Sequence, residues 1–245
     1  MLQQQKTVLI TGAYGGMGID MAKAFIARGD NVVINGRDDI KLQHAKESLN
    51  GGENVIAVAG DISDSSTGEK MVEMALEHFG RVDVLVNNAG QFYPKPFIES
   101  TVDDLEHFFN VNLKGTYLTT QAAVRQMIKQ NEGSIINVGT VLVESSFTPF
   151  RASAALASKG GVHALTTALA SELAPYQIRV NTLAPGIIRT PLQGDNVDSH
   201  AGMSLLNRVG EVADTTRATL YLADASFQTG TVVNVDGGYV AGRSN

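Results

Sequence analysis

The chain has 245 residues, of which 43% are apolar and 18% charged, and its formal net charge is −6 at pH 7. This length and balance predict one large α/β domain or two small ones, and the acidic charge argues against nucleic acid as a partner. Because the sequence contains no cysteine, disulfides, thiolate metal sites and cysteine nucleophiles are excluded.

The sequence shows no pattern typical of a targeting segment or of a metal site. The segment Met1–Lys6 has neither the basic start nor the apolar stretch of about 7–15 residues that a signal peptide needs. No apolar run approaches the ~18 residues of a membrane span. The five histidines lack the His-Glu-x-x-His spacing of a zinc site. We therefore expect a cytoplasmic protein that has no metal site and does not associate with membranes.

Short β-branched runs alternate with helical stretches along the chain. Strands separated by helices imply parallel βαβ crossovers, with helices on both faces of one sheet. The predicted fold is therefore a single α/β domain over residues 1–245, with a doubly wound, seven-stranded Rossmann sheet in three layers. The predicted strands are Thr7–Thr11, Asn31–Asn35, Asn54–Ala59, Val82–Asn87, Ser134–Val138, Ile178–Leu183 and Thr231–Val235.

A glycine-rich turn follows the first predicted strand and leads directly into a helix. Gly12, Gly16 and Gly18 fit a Gly-x-x-x-Gly-x-Gly spacing. Glycines in such a turn bend the chain tightly, admit a pyrophosphate to the backbone and let the helix pack close to the sheet. The helix N-terminus adds free N–H groups and a partial positive charge. The turn therefore predicts a dinucleotide-binding site.

The second predicted strand is followed by Gly36 and Arg37, without an acidic residue at its tip. An acidic residue there would bind the 2′-hydroxyl of NAD, whereas an arginine suits the 2′-phosphate of NADP. We therefore predict NADP(H) in preference to NAD(H). The alternative is that Arg37 only begins the next helix.

Further motifs follow in order along the whole chain. They are Asp61, Asn87-Asn88-Ala89-Gly90, Asn110-Val111-Asn112, Lys159 in Ala157-Ser158-Lys159-Gly160, Pro185-Gly186 with Thr190, and Val235-Asp236-Gly237-Gly238. Together with the glycine-rich turn, they resemble the short-chain dehydrogenase/reductase family.

The resemblance implies roles for the matching residues. Lys159 would bond the nicotinamide ribose, and Asn112 would hold a water connected to Lys159. Members of this family commonly form dimers or tetramers, which implies oligomer contacts through Asp103–Gln130 and Ser153–Ala174, although the apolar residues there could equally be core. The cofactor-binding residues implied are Gly12, Tyr14, Gly15, Gly16, Met17, Gly18, Arg37, Asp61, Ile62, Asn88, Ala89, Gly90, Lys159, Pro185, Gly186, Ile188 and Thr190.

The sequence departs from the family at its catalytic pair. The family uses a Tyr-x-x-x-Lys pair and a serine, whereas here Ala155 stands four residues before Lys159 and Thr140 takes the serine position. A tyrosine general acid typically contributes ~10²–10⁴ in rate. The possible substitutes are Tyr93, Glu144 with Ser145 and Ser146, Ser153, His163 or a bound water, although each of these side chains could equally be a solvated or packing residue.

Three functions remain open from the sequence. The first is an atypical NADP(H)-dependent oxidoreductase of a small carbonyl or alcohol, using Lys159 through water, Thr140 or an acidic group of the substrate. The second is a binding protein, either a sensor of NADP(H) or a silent subunit. The third is a non-redox dehydratase or isomerase using Lys159 or Glu144.

Two segments are predicted to line the substrate pocket. They are Gln91–Ile98, which is rich in aromatic residues and proline, and the long irregular stretch Arg189–His200. Phe147 and Phe150 are further candidates. A stretch this long within a compact domain is usually functional, so we expect Arg189–His200 to be a substrate lid, with a tolerated surface insertion as the alternative.

Overall fold

The computed structural model describes residues 5–146 and 150–242, so the predicted pocket residue Phe147 lies outside the described residues. In this part of the chain, seven parallel strands form one sheet in the order β3-β2-β1-β4-β5-β6-β7, which confirms the predicted doubly wound fold. The strands are β1 Thr7–Ile10, β2 Asn31–Gly36, β3 Val55–Ala59, β4 Val84–Asn87, β5 Gly133–Val138, β6 Ile178–Pro185 and β7 Val232–Val235.

Helices cover both faces of the sheet. A π-helical segment, Phe109–Lys114, joins α4 to α5. The α-helices are α1 Gly16–Ala27, α2 Asp39–Leu49, α3 Ser65–Phe79, α4 Val102–Phe108, α5 Gly115–Gln130, α6 Ser153–Leu173 and α7 Val212–Asp224. None of the helices in the described ranges is both long enough and apolar enough to cross a membrane.

The core has one apolar cluster on each face of the sheet. Val8 and Ile10 of β1 lie in the cluster that includes Phe25 of α1, whereas Leu9 lies in the cluster that includes Met71 of α3. Successive strand residues point to opposite faces, so a sheet covered on both sides needs a nearly continuous apolar run. This is why Thr7–Ile10 is entirely buried.

A buried polar network fixes α6 on the sheet. The Asn87 side-chain amide of β4 donates hydrogen bonds to Asn137 Oδ1 of β5 and to Thr120 Oγ1 of α5, both at 2.8 Å. Asn137 in turn donates to Thr166 Oγ1 of α6 at 2.9 Å. Buried polar groups need such partners because leaving one unpaired is costly. The network therefore holds the helix that carries Lys159.

The order of the strands determines where a ligand can bind. From β1 the chain crosses over to β2 and then β3 on one side, and from β3 it returns past β1 to β4 on the other side. At such a switch point the loops diverge and leave a crevice beyond the carboxyl ends of the strands. The predicted lid, Arg189–His200, lies after β6 and is more regular than expected, because it includes the 3₁₀ helix Pro191–Gln193 and most of a second one, Val197–Met203.

Candidate active site

Two adjoining cavities open at the carboxyl ends of the strands. We call them the outer groove, lined by the β1–α1 turn and the ends of β2 and β3, and the inner pocket, lined by the ends of β5 and β6. Their volumes are about 440 Å³ and about 160 Å³. The residues of the described chain that line both are Met17, Asn88, Gly90, Gln91, Thr190 and Leu192.

The glycine-rich turn packs tightly against the loop after β4. Gly12 has φ +64°, and a Cβ there would lie 2.8 Å from Cα of Ala89. A Cβ on Gly18 would lie 2.6 Å from Asn88 Nδ2. Asn88 Nδ2 also donates hydrogen bonds to the carbonyl oxygens of Thr11, at 3.0 Å, and Gly12, at 2.9 Å. Any larger residue at position 12 or 18 would push the turn out of this position.

The N-terminus of α1 faces the outer groove and is open. Gly15 precedes the helix with an extended backbone, and no side chain in the described ranges caps the first turn. Apart from its chain neighbours, no described heavy atom lies within 4 Å of a Cβ placed on Gly15. Uncapped N–H groups together with the helix dipole form a site for an anionic group such as a pyrophosphate.

At the far end of the outer groove lie Tyr14, Arg37 and Asp61. The Tyr14 ring lies against Gly36, where a Cβ would come within 2.1 Å of Tyr14 Cδ1. The Arg37 guanidinium lies 3.8 Å from the Asp61 carboxylate, and both side chains are largely exposed. Arg37 is therefore held at the edge of the groove and is accessible to a ligand.

Lys159 lies in the wall of the inner pocket and is only 7% exposed. Its Nζ donates a hydrogen bond to the carbonyl oxygen of Val138 at 2.6 Å. Burial disfavours the charged ammonium and lowers the pKa of Lys159 from 10.5 to about 8. The lysine also lies close to Gly90, since a Cβ there would be 2.9 Å from Nζ.

Asn112 is fully buried in the π-helical segment. Its Oδ1 accepts a hydrogen bond from the Gln91 N–H at 2.7 Å, and its Nδ2 donates to the Gln91 carbonyl at 3.0 Å and to Ser158 Oγ at 2.9 Å. The side chain therefore ties the loop after β4 to α6, next to Lys159. The water-holding role implied for Asn112 stays a prediction.

Thr140 and Ala155 are the two residues at which the sequence analysis predicts a departure from the family's catalytic pattern. Thr140 lines the inner pocket, and its Oγ1 accepts a hydrogen bond from the Leu142 N–H at 3.3 Å. Ala155 is fully buried in a small apolar cluster with Phe108, Ala152 and Ala154, against which Phe92 and Leu156 pack. The side of α6 one turn before Lys159 is therefore closed.

The possible substitutes for the tyrosine lie elsewhere. Tyr93 Oη donates to Asp104 at 3.2 Å, and Glu144 accepts from Asn234 at 3.1 Å. Ser153 is exposed at the start of α6. His163 Nε2 is buried without a hydrogen-bond partner among the described residues, and burial lowers the pKa of this histidine. None of these four side chains belongs to the wall that the described residues form around the inner pocket.

Apart from Lys159 and Thr140, the inner pocket is lined mostly by apolar side chains. Of the two segments predicted to line it, the first supplies Gln91 and Phe92 but neither Tyr93 nor Phe97, and the second supplies Thr190, Leu192 and Gln193. The predicted residue Phe150 also contributes. The remaining side chains that are larger than alanine are Met17, Asn88, Val138, Thr140, Val141, Leu142, Lys159, Pro185, Ile187, Ile188, Met203 and Tyr239.

Tyr239 is one of several residues of the inner pocket that the sequence does not predict, as are Val141, Leu142, Ile187 and Met203. It is buried, and its Oη donates a hydrogen bond to the Ser145 carbonyl at 3.0 Å. Gly237 and Gly238, with φ of +62° and +89°, turn the chain just before it. The Asp-Gly-Gly motif was recognised, but only the bend that these glycines allow brings the next residue into the pocket.

Three kinds of comparison agree with this geometry. A family model described as short chain dehydrogenase matches residues 6–201. An uncharacterised oxidoreductase of Schizosaccharomyces pombe is 35% identical over 254 residues, covering 99% of this chain and 94% of that protein. The (2S)-[(R)-hydroxy(phenyl)methyl]succinyl-CoA dehydrogenase subunit BbsD of Thauera aromatica is 36% identical over 245 residues, 96% of each chain. The solved structure of ElxO with NADP bound has a TM-score of 0.90 at 31% identity, covering 98% of this chain and 100% of that one.

Proposed function

Because the chain belongs to the short-chain dehydrogenase family, we propose that it is an NADP(H)-dependent oxidoreductase in which Lys159 replaces the family's tyrosine as proton donor. Its substrate is a small carbonyl compound or the corresponding alcohol. The observation that carries this proposal is the buried Lys159 ammonium, which lies in the wall of the inner pocket with a pKa lowered to about 8.

The outer groove suits the proposed cofactor. The turn at Gly12 and Gly18 has no room for a side chain, and the adjoining N-terminus of α1 is open to the pyrophosphate. We assign Arg37 to the 2′-phosphate and Asp61 to the adenine, and the position of both residues in the lining of this groove supports the assignment. A structural relative, ElxO, was solved with NADP bound. When bound, NADPH would supply the hydride for reduction of the carbonyl carbon.

Proton transfer in this proposal uses the residues of the inner pocket. During reduction, Lys159 Nζ gives a proton to the carbonyl oxygen of the substrate, and the neutral amine then regains a proton from water. Thr140 donates a hydrogen bond to the same oxygen. A lysine with a pKa of about 8 is still mostly protonated at neutral pH and is a stronger acid than an ordinary lysine.

Residues 189–200, which follow β6, complete the proposed site as a lid. Two observations support this role. Thr190 and Leu192 line both cavities, so the segment covers the place where the outer groove and the inner pocket meet. The Arg189 guanidinium bonds to Asp198 and Glu211, which closes the segment on itself.

The first test is a titration with NADPH and a separate titration with NADH, in which binding is monitored by cofactor fluorescence. The chain contains no tryptophan, so protein emission does not interfere. We expect NADPH to bind more tightly than NADH. Equal affinity for the two would overturn the assignment of Arg37 to the 2′-phosphate, and binding of neither would overturn the proposed function.

The second test measures NADPH consumption with a panel of small aldehydes and ketones, using wild-type protein and Lys159→Met. Turnover that is lost in Lys159→Met even at saturating NADPH supports lysine as the proton donor, because any loss of the contact to the nicotinamide ribose is then compensated by the cofactor concentration. The exposed Lys23 of α1 provides a matched control, Lys23→Met, which should keep wild-type turnover.

A second candidate function is that of a binding protein, such as a silent subunit. It is favoured by the closed apolar surface over Ala155 and by BbsD, the relative that is itself named as a dehydrogenase subunit. NADPH binding without turnover on any carbonyl, together with a second chain that copurifies, would favour this candidate. The non-redox alternative could use only Lys159, because Glu144 lies outside the described wall of the inner pocket.

We also propose that the protein is a homodimer or homotetramer through α4, α5 and α6. Leu105 of α4, Phe109 of the π-helical segment and Tyr117 of α5 are large apolar side chains that are 44%, 37% and 50% exposed. Exposed apolar patches of this kind mark contacts between proteins. Sedimentation of the purified protein as a monomer at micromolar concentration would contradict the proposal.

A further inference from the structure

We infer that the Phe92 side chain takes the space that a tyrosine at position 155 would need, so that an apolar aromatic wall stands where the tyrosine would be. Compared with the family pattern, α6 has lost a tyrosine side chain at position 155, and the loop after β4 supplies the Phe92 ring instead. The packing part of this inference is independent of the proposed function.

The first step in the argument concerns the direction in which Ala155 points. Residues four apart lie on the same face of a helix, so Ala155 lies one turn from Lys159 on the face that carries the lysine. Lys159 lines the inner pocket, yet Ala155 has no exposed surface at all. Some other side chain must therefore cover Ala155 on its pocket side.

Phe92 is placed to provide that cover. It packs against the small cluster that contains Ala155, and it also lines the inner pocket. Phe108 belongs to the same cluster and Leu156 packs against it, but neither residue lines the pocket. Among the described side chains of this cluster, Phe92 is the one that also lines the inner pocket, and we therefore place it on the pocket side of Ala155.

The loop holds Phe92 in this position from both sides. Immediately before it, Gln91 exchanges two backbone hydrogen bonds with the Asn112 side chain, which in turn bonds to Ser158 of α6. Shortly after it, the Lys95 N–H donates to the Arg151 carbonyl at 2.5 Å, in a parallel bridge beside the start of α6. These contacts hold the backbone of Phe92 beside α6, so only a change of side-chain rotamer could move the ring aside.

The aromatic wall also bears on specificity, in an extension that rests on the proposed function. A hydroxyl group at the end of a tyrosine would make this side of the pocket polar, whereas a phenyl ring makes it apolar. Lys159 and Thr140 remain as polar groups, and Phe92 faces whatever substituent stands next to the reacting carbon. The site should therefore favour carbonyl compounds with an apolar substituent beside the carbonyl.

A double-mutant cycle on thermal stability tests the packing. Ala155→Tyr in the wild-type background overpacks the site and should lower the Tm by about 2–12 °C. In the Phe92→Ala background the same substitution should cost less than half as much, because the ring has been removed. Ala155→Leu is measured in parallel, so that a smaller side chain reports the same coupling if Ala155→Tyr does not fold.

Phe97→Ala is the matched control background, since Phe97 belongs to the same loop but is exposed. There, Ala155→Tyr should lower the Tm as much as in wild type. Equal losses in the wild-type, Phe92→Ala and Phe97→Ala backgrounds would overturn the inference. Because Tm is read without cofactor or substrate, this result is independent of whether the protein is an oxidoreductase.

Activity measurements test the specificity that follows from the wall. Phe92→Ala should raise KM at least about tenfold for ketones with an apolar substituent, and much less for small polar ones, because such a substituent loses roughly one buried aromatic contact. Equal changes in KM for both classes would overturn the specificity while leaving the packing result unaffected. If no carbonyl is turned over, the proposed function fails and only the Tm cycle is informative.

Discussion

The Lys159 ammonium donates a hydrogen bond to the Val138 carbonyl at 2.6 Å, at the carboxyl end of β5. This contact fixes a cation beside the pocket, on a helix that the Asn137–Thr166 hydrogen bond anchors to the same strand. A buried charge costs stability unless it is paired with an opposite charge, and here the partner is an uncharged carbonyl. Burying the charged lysine therefore lowers the stability of the fold, as is typical of a group kept for function.

The first prediction is that Lys159→Met is more stable than wild type at neutral pH. The folded pKa of about 8 lies below the ordinary value of 10.5, so protonated Lys159 destabilises the fold, by about 3 kcal/mol. The unfolded chain binds more protons between these two values, so wild-type stability rises with pH there and approaches that of the variant. Chemical denaturation of both proteins across this range measures the difference.

The exposed control Lys23→Met should show no such pH-dependent difference from wild type. A gap between wild type and Lys159→Met that stays constant from neutral pH to above 10.5 would contradict the lowered pKa. A destabilised Lys159→Met would show that the Val138 hydrogen bond outweighs the cost of burying the charge.

The second prediction separates the fold from the proposed cofactor site through two glycines in one turn. Gly12→Ala should cost about 1–3 kcal/mol of stability, because its φ of +64° is strained for alanine and a Cβ would clash with Ala89. Gly15→Ala should leave stability within about 0.5 kcal/mol of wild type, since its Cβ enters open space. That same methyl group projects into the groove and should weaken NADPH binding.

Denaturation without cofactor and fluorescence titration with NADPH give the two readouts. Loss of stability in Gly15→Ala would contradict the open space around its Cβ, and full NADPH affinity in this variant would contradict the assignment of the pyrophosphate to the turn. Gly29, which also faces open space but lies at the end of α1 away from the groove, is unsuitable as a control because its φ is +93°.

The fold could be predicted from the sequence because its signals are local. Thr7–Ile10 is apolar at every position, as a strand covered on both faces must be, and the turn after it needs its glycines. Strand boundaries shifted by up to about two residues, as with Val82, which is buried just before β4, and Pro185, which extends β6. Burial pattern alone does not show where the ladder of hydrogen bonds begins.

The packing within the site was less predictable because it depends on distant residues. The sequence shows that position 155 lacks a tyrosine, but not that Phe92 closes the gap. The sequence also predicts that Tyr93 lies beside the substrate, whereas the hydroxyl of this residue bonds to Asp104 of α4, outside the pocket wall. Alternate residues of a loop can point to opposite sides, and only the contacts of the folded chain decide which one faces the pocket.

The third prediction concerns the choice between NADPH and NADH. Arg37→Gln should weaken NADPH binding by about 10–100-fold, the value of one hydrogen bond to a charged group. NADH binding should hardly change, because it lacks the 2′-phosphate. The pairing of Arg37 with Asp61 is exposed, so its loss should change stability by less than about 1 kcal/mol.

Lys41→Gln serves as the matched control for Arg37→Gln. Lys41 is an exposed cation at the start of α2 that pairs with Asp38 at 3.4 Å and does not line the groove. It should leave both affinities unchanged. A parallel loss of NADPH and NADH affinity in Arg37→Gln would show that the arginine shapes the groove without recognising the phosphate.

The last prediction tests the lid. The Arg189 guanidinium bonds to both carboxylate oxygens of Asp198, at 3.0 and 2.5 Å, and so closes the segment between them. Asp198→Asn removes the charge that holds this loop, while the cost to global stability should stay below about 1 kcal/mol because the pair is exposed. Amide hydrogen exchange in residues 190–200 should then become faster, because local opening requires less free energy. Asp195→Asn, which makes the same charge change within the segment, should leave exchange near the wild-type rate. Unchanged exchange in Asp198→Asn would show that the segment is held by its packing and that the ion pair does not control its opening.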